Sequence, residues 1–103
     1  MVRDKRRSKR KIAENVQANC LASTKQFNAS VKNISESGVC LASSENITPG
    51  ETVNLFVRLF PKLPAVKYIE SRVVWKNEDG SCGLKFGRMS PEVLELIRGY
   101  VNN

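Results

Sequence analysis

Histidine is absent from this sequence of 103 residues, and cysteine is scarce. Without histidine, the chain lacks the commonest general base and the commonest metal ligand. The three cysteines are far apart and form no C-x-x-C pair, which indicates neither a disulfide framework nor a zinc site. We therefore interpret Cys20, Cys40 and Cys82 as small buried apolar residues, and we expect no enzyme activity, no metal and no cofactor.

Long apolar runs are also absent. No segment approaches the roughly 20 apolar residues that cross a bilayer, and the N-terminus is charged instead of leading into an apolar secretory segment. A hydrophobic content of 41% suits one domain with a modest core. We expect a single cytoplasmic domain that is monomeric and does not insert into a membrane.

Positive charge is concentrated at the N-terminus. Residues 1–11 contain seven basic residues and one acidic residue (+6), whereas residues 12–103 contain ten basic and nine acidic residues (+1). A dense cationic segment attracts anions, and with no apolar residue between Arg3 and Lys11 it cannot bury itself. We expect residues 1–11 to form a flexible basic arm and residues 12–103 to form the folded domain.

Hydrophobic periodicity predicts an all-β domain. In residues 25–34, Phe27, Ala29 and Val31 alternate with polar residues, as in a strand with one buried face. Pro49 and Gly50 indicate a tight turn, as do residues 78–80. Six strands are predicted, at residues 12–22, 25–34, 38–43, 51–60, 68–75 and 81–86. Short, closely spaced strands favour a closed or nearly closed antiparallel barrel, because closure removes exposed edges.

The C-terminal residues have a helical pattern. Ser90 is a good helix cap, and Pro91 suits the first helical position. Apolar residues then follow at the spacing of one helix face: Val93, Leu96, Ile97, Tyr100 and Val101. We predict a helix at about residues 90–101 that docks on the barrel.

Two short motifs offer groups that suit a guanine nucleotide. The first is Arg6-x-x-x-Arg10 in the run KRRSKRK, and the second is Asn33-x-Ser35-x-x-Gly38 in NISESG. Arginine can pair bidentately with phosphate, bind guanine O6 and N7, and stack on a base. Asparagine and serine offer hydrogen-bonding groups to guanine or phosphate, and glycine permits a close approach of the backbone.

The order and spacing of these motifs resemble the PilZ domain family. In that family, R-x-x-x-R followed by [DN]-x-S-x-x-G defines a site for the bacterial second messenger cyclic di-GMP. The strand ending in Val73-Val74-Trp75, the GLKF strand and the C-terminal helix extend the resemblance over nearly the whole chain. It implies a stand-alone bacterial receptor with a six-stranded PilZ-type barrel. By resemblance, the ligand-binding residues are Arg6, Arg10, Asn33, Ser35 and Gly38.

The resemblance also implies secondary contacts from Lys5, Arg7, Lys9 and Trp75. Trp75 matches a position that borders the ligand in similar proteins, although a lone tryptophan equally suits a barrel interior. Asn33 is Asp in many PilZ proteins, and we expect this change to alter the affinity while the site survives. Lys5 precedes R-x-x-x-R, where the residue influences whether one cyclic di-GMP or a stacked pair is bound; a long cation favours the pair.

The expected mechanism is that cyclic di-GMP bridges the arm to the 33–38 loop. Ligand binding would order the arm onto the barrel and create a surface for a downstream effector protein. Two alternatives remain open. A small barrel with a basic arm also suits single-stranded nucleic acid, although the nearly neutral body and seven unclustered aromatic residues offer no stacking platform. Otherwise the domain is an interaction adaptor that binds no nucleotide.

Overall fold

The structure, a computed structural model, describes residues 10–23, 25–43, 45–59 and 66–102. Within these ranges the elements are β1 (Lys11–Ile12), β2 (Gln17–Ala22), β3 (Lys25–Ile34), β4 (Gly38–Ala42), β5 (Thr52–Val57), β6 (Val66–Lys76), β7 (Ser81–Phe86) and α1 (Pro91–Val101). Strands β2 to β7 form a closed antiparallel barrel in the order β3-β2-β5-β6-β7-β4, and pairing between β3 and β4 completes the ring. The predicted six-stranded barrel with a C-terminal helix is confirmed.

Alternation along the strands places the core inside the barrel. The alternation predicted for β3 is confirmed, because Phe27, Ala29 and Val31 are buried and their polar neighbours are exposed. The largest fully buried side chains are those of Ile34, Leu41, Ile47, Leu55, Ile69 and Ile97. Burial of such a side chain contributes about 1.5–3 kcal/mol, so the barrel interior is the main source of stability.

The strand predicted at residues 12–22 is interrupted in the structure. Residues 13–16 separate β1 from β2, and Asn15 has a φ of 60°. Asparagine tolerates this left-handed conformation better than most residues, because its short polar side chain can hydrogen-bond locally. The main chain stays beside β3, since the Ala13 N–H donates to the Lys32 carbonyl at 2.9 Å. β1 therefore pairs with the end of β3 that β2 does not cover.

Helix α1 begins as predicted. The Ser90 hydroxyl accepts a hydrogen bond from the Val93 N–H at 3.3 Å, and Pro91 is the first helical residue. The predicted apolar face packs on the barrel core through Val93, Leu96, Ile97, Tyr100 and Val101. Within the described ranges, no helix combines the length and the hydropathy needed to cross a bilayer.

Candidate functional site

A β-bulge in β3 turns Asn33 towards the outside of the barrel. The pairing register with β4 shifts between Val31 and Asn33, which makes Lys32 the extra residue. An extra residue reverses the alternation of the residues that follow it. Ile34 is therefore fully buried in the position where strict alternation would bury Asn33, and the Asn33 amide is left half-buried at the surface.

A second bulge in β6 does the same for Trp75. The register with β7 shifts between Val73 and Trp75, and Val74 is the extra residue. Val73 is buried, whereas Val74 and Trp75 are 50% and 42% exposed. The alternative in which Trp75 fills the barrel interior is therefore wrong. The only tryptophan of the chain lies on the outer face of the barrel.

Asn33 and Trp75 lie at opposite ends of one row of residues that crosses four strands. Asn33 pairs with Cys40, Cys40 with Gly83, and Gly83 with Trp75. Directly paired residues of antiparallel strands point to the same face, so this row lines one surface. The surface is the floor of a cleft of about 340 Å³, within the size range of small-molecule sites.

The cleft brings together four of the predicted site residues, namely Arg10, Asn33, Gly38 and Trp75. The sequence analysis missed seven others: Ser37, Val39, Cys40, Val74, Gly83, Leu84 and Lys85. Alternation along β4 and β7 could have identified the outward-facing residues of this group. Cys40 and Lys85 each lie between two buried neighbours in their strand. Four further predicted residues lie outside the described residues: Lys5, Arg6, Arg7 and Lys9.

Arg10 is tied to Asn33. Its Nη1 donates a hydrogen bond to the Asn33 Oδ1 at 2.5 Å, and the arginine side chain is exposed. The antiparallel pairing of Ile12 with Asn33 brings the preceding residues of the chain to this end of β3. The second arginine of R-x-x-x-R and the asparagine of the N-x-S-x-x-G motif, 23 residues apart in sequence, are thus in direct contact.

Two glycines permit close packing around the cleft. The Trp75 indole lies where a side chain at position 83 would project, because a Cβ there would overlap indole atoms Nε1, Cε2 and Cδ1. At position 38, a Cβ would lie 2.5 Å from the Leu84 carbonyl oxygen on the neighbouring strand β7. Glycine at position 38 therefore allows β4 to pair closely with β7. The predicted role of Gly38 in ligand binding stays a prediction.

Ser35 forms the turn between β3 and β4. It is 1% exposed, and its Oγ accepts hydrogen bonds from the N–H groups of Ser37 and Gly38, both at 3.2 Å. The Ser35 N–H in turn donates to the Gly38 carbonyl at 2.9 Å. These bonds hold Ser37 and Gly38 at the cleft. The predicted contact of the Ser35 hydroxyl with the ligand stays a prediction.

Helix α1 contacts both sequence segments that form the site. Arg98 Nε donates to Glu36 Oε1 at 2.9 Å, which joins the helix to the β3–β4 turn. Lys11 Nζ lies 4.5 Å from the centroid of the Tyr100 ring, a cation–π contact that joins the helix to β1. The hydrogen bond and charge of Glu36 raise the pKa of Arg98 above its ordinary value. Arg98 therefore keeps its positive charge throughout the physiological pH range.

The three cysteines differ in their surroundings. Cys20 and Cys82 are buried as expected, but Cys40 is half-buried on the outer face, so the expectation is wrong for Cys40. Burial, together with the nearby Cys82, raises the pKa of the Cys20 thiol to about 12. Burial also raises the pKa of Cys82, with a further contribution from Cys40.

The cleft therefore combines cations, an amide and one exposed aromatic ring. Arg10 and Lys85 supply positive charge, Asn33 supplies hydrogen-bonding groups, and Trp75 offers a surface on which a planar base can stack. This combination suits a ligand that has both an aromatic ring and an anionic group.

Comparisons with known proteins give one family model and similar solved structures. The PilZ domain family model matches residues 4–103. The Bacillus subtilis inhibitor of motility (MotI/DgrA) superposes with a TM-score of 0.74 and 17% identity, over 96% of this chain and 50% of that chain. The Borreliella burgdorferi PlzA protein, solved in complex with c-di-GMP, gives the same TM-score of 0.74 and 17% identity, over 96% of this chain and 42% of its own. At this identity the likeness shows the fold, and this chain spans half or less of either structure. A search of curated proteins found no match.

Proposed function

This chain belongs to the PilZ domain family, and we propose that it is a receptor for cyclic di-GMP that binds the messenger in the cleft beside Arg10, Asn33 and Trp75. The main support is the row from Asn33 through Cys40 and Gly83 to Trp75. Two β-bulges turn the end residues of this row, Asn33 and Trp75, towards one surface. An amide group and an aromatic ring that can stack on a base therefore lie at the same cleft. PlzA, which has a similar fold, has been solved in complex with c-di-GMP.

Each ligand group has a matching residue in this proposal. Arg10 pairs with a phosphate or with guanine O6 and N7, and Arg6 provides the second such group. Asn33 hydrogen-bonds the guanine edge, and Trp75 stacks on a base. Ser35 and Gly38 shape the turn at the cleft, and the Ser35 hydroxyl is a further ligand contact in this proposal.

The N-terminal segment closes the site in this proposal. Residues 1–11 have a net charge of +6, and the cleft wall adds Lys85. Like charges repel, so an anion that lies between the segment and the wall favours their approach. The two phosphates of cyclic di-GMP supply that charge, assisted by Lys5, Arg7 and Lys9. Once residues 1–11 have closed over the ligand, they form a new surface for a downstream effector protein. Lys5 has a long cationic side chain, which favours binding of a stacked pair of cyclic di-GMP molecules.

Calorimetric titration with cyclic di-GMP tests the proposal. The native chain is expected to bind, with two ligands per chain if a stacked pair forms. Arg10→Ala and Arg6→Ala are each expected to weaken binding by roughly 5- to 150-fold, since a bidentate guanine contact contributes about 1–3 kcal/mol. Cyclic di-AMP, which has the same phosphates but a different base edge, is expected to bind far more weakly.

Lys25→Ala is a matched control for these variants. It removes one positive charge at the opposite end of β3, about 26 Å from Asn33 along an extended strand. Its affinity for cyclic di-GMP is expected to equal that of the native chain. A native protein that takes up no heat from cyclic di-GMP, or a control that loses as much affinity as Arg10→Ala, would overturn the proposed function.

A further inference from the structure

A second cleft adjoins the candidate site on the outer face of the barrel. It has a volume of about 330 Å³ and includes Arg72, Lys85 and Arg88, all of them exposed. Lys85 and Val74 line both clefts, so the two are neighbours on one surface. Among the described residues that line this second cleft, Glu70 is the only acidic one. We call Arg72, Lys85 and Arg88 the cation cluster.

The cation cluster is electrostatically unfavourable within the free barrel. Arg72 and Lys85 are direct cross-strand partners in the pairing of β6 with β7. Like charges at directly opposed positions, with Cβ atoms about 5 Å apart, destabilise a sheet. Thr52 is the other direct partner of Arg72 and Gly38 that of Lys85, so neither cross-strand neighbour compensates the repulsion.

The cluster also lacks partners elsewhere on the described surface. Ion pairs there join Lys25 to Glu45 and Arg98 to Glu36 and Glu95. In the part of the chain that the structure describes, the side chains of Arg72, Lys85 and Arg88 form no ion pair. Three cations around one concave surface, two of them opposed across strands, are arranged to hold an anion.

We propose that this second cleft is a docking site for an acidic segment of a partner protein. One carboxylate lies between Arg72 and Lys85, a second pairs with Arg88, and an apolar side chain of the segment packs on Val74, which is 50% exposed. The positive charge of the cation cluster favours an acidic segment as the ligand of this cleft. The N-terminal segment of the chain itself has a net charge of +6 and is repelled by the cluster. Glu70 on the cleft wall disfavours a continuous polyanion such as nucleic acid.

A peptide titration tests the docking site. The probe is a short synthetic fluorescent peptide in which Asp and Glu alternate with Leu, and its control replaces the acids by Asn and Gln. The native chain is expected to bind the acidic peptide, as read from fluorescence anisotropy. NMR amide shifts are expected to change on β6 and β7 around the second cleft. The double variant Arg72→Gln/Arg88→Gln is expected to lose on the order of tenfold or more in affinity.

The matched control is Lys25→Gln/Lys32→Gln, which makes the same change in net charge at exposed or half-exposed positions of β3. It is expected to keep the affinity of the native chain apart from the small loss that any charge reduction causes. Equal loss in both double variants would mean nonspecific attraction and would overturn the proposal. So would failure of the acidic peptide to bind the native chain.

Other ligands of the second cleft would give different results in these experiments. Tighter binding of a single-stranded oligonucleotide that depends on Arg72 and Arg88 would identify nucleic acid instead. Loss of cyclic di-GMP affinity in Arg72→Gln/Arg88→Gln would assign the cluster to the nucleotide site. Self-association that the double variant abolishes would identify a second copy of the chain. Each of these results overturns the proposal, whereas a chain that binds the peptide but not cyclic di-GMP overturns only the proposed function.

Discussion

The indole ring of Trp75 occupies the space into which a side chain at Gly83 would project. The two residues are direct cross-strand partners, and Gly83 is buried although it faces outward. An aromatic ring that covers a glycine on the paired strand protects the exposed backbone there. The position of the Trp75 ring at the cleft therefore depends on the fact that residue 83 is a glycine and has no side chain.

Gly83→Ala is expected to displace the indole while leaving the barrel folded. Because stacking of a base on an aromatic ring contributes about 1–3 kcal/mol, affinity for cyclic di-GMP should fall by roughly 5- to 150-fold. Trp75 is the only tryptophan, so its fluorescence reports the displacement directly. Gly99→Ala is the control, since nothing lies within 4 Å of its added Cβ. An unchanged spectrum and affinity in Gly83→Ala would show that the ring position does not depend on this glycine.

Ser35→Ala is expected to destabilise the turn between β3 and β4. It removes the acceptor of the buried Gly38 N–H and of the part-buried Ser37 N–H, and an unsatisfied buried polar group such as the first costs about 1–3 kcal/mol. Urea unfolding measures this loss. Ser30→Ala is the control, because Ser30 is exposed and, among the described residues, its hydroxyl bonds only the Gln17 side chain. Its effect is expected to stay within about 0.5 kcal/mol, and an equally small effect of Ser35→Ala would contradict the role assigned to Ser35.

Cys40 is expected to react first with a thiol reagent in the folded protein. Burial raises the pKa of Cys20 to about 12 and raises that of Cys82, so neither forms the reactive thiolate near neutral pH. Mass spectrometry after brief labelling should find one modified site, which Cys40→Ser abolishes. Cyclic di-GMP should slow the labelling, because Cys40 lines the cleft. Labelling of Cys20 or Cys82 before unfolding would show that the barrel opens more readily than its packing implies.

The turn at Asp79 predicts a pH-dependent contribution to stability. Asp79 Oδ1 accepts hydrogen bonds from the Ser81 hydroxyl at 2.6 Å and from the Ser81 N–H at 2.9 Å. These bonds hold the pKa of Asp79 below its ordinary value of 3.8. A carboxyl with a lower pKa in the folded state stabilises the fold above the ordinary value, and this contribution is lost as the pH falls through the folded-state pKa.

Asp79→Ala should therefore lower the Tm at neutral pH, and the difference from the native chain should shrink at pH values well below 3.8. Glu78→Ala serves for comparison, because it removes a neighbouring exposed carboxylate with no hydrogen bond to the turn. Thermal melts across the acidic range measure both variants. A Tm difference that stays constant with pH would assign the effect of Asp79→Ala to something other than ionisation.

Most of the fold could be predicted because alternation is unambiguous in the central strands. β3 and β7 have the predicted bounds, and the cap at Ser90 begins α1 as expected. The break between β1 and β2 was not predicted, because hydrophobic periodicity contains no signal for the positive φ of Asn15. The alternation of apolar and polar residues predicts which face of a strand is buried, but it does not predict where the main chain changes direction.

The candidate site could be predicted only in part. Motif spacing identified Arg10, Asn33 and Gly38, which the structure brings to one cleft. Trp75 remained ambiguous, because Val73-Val74-Trp75 is a continuous apolar run in which alternation cannot locate a bulge. Cys40 and Gly83 become part of the site only through cross-strand register, which depends on residues that are distant in sequence.

The bulge at Lys32 determines how changes in the length of β3 would affect the site. Deletion of this one residue would restore strict alternation while Asn33 still faces outward and Ile34 still faces the interior, because Val31 and Asn33 already pair with the consecutive residues Leu41 and Cys40. A register slip of one residue at constant strand length would instead turn Asn33 inward and Ile34 towards water. Shortening β3 at position 32 is therefore compatible with both folding and recognition, whereas a slip in register is opposed by the cost of burying an amide and exposing an isoleucine.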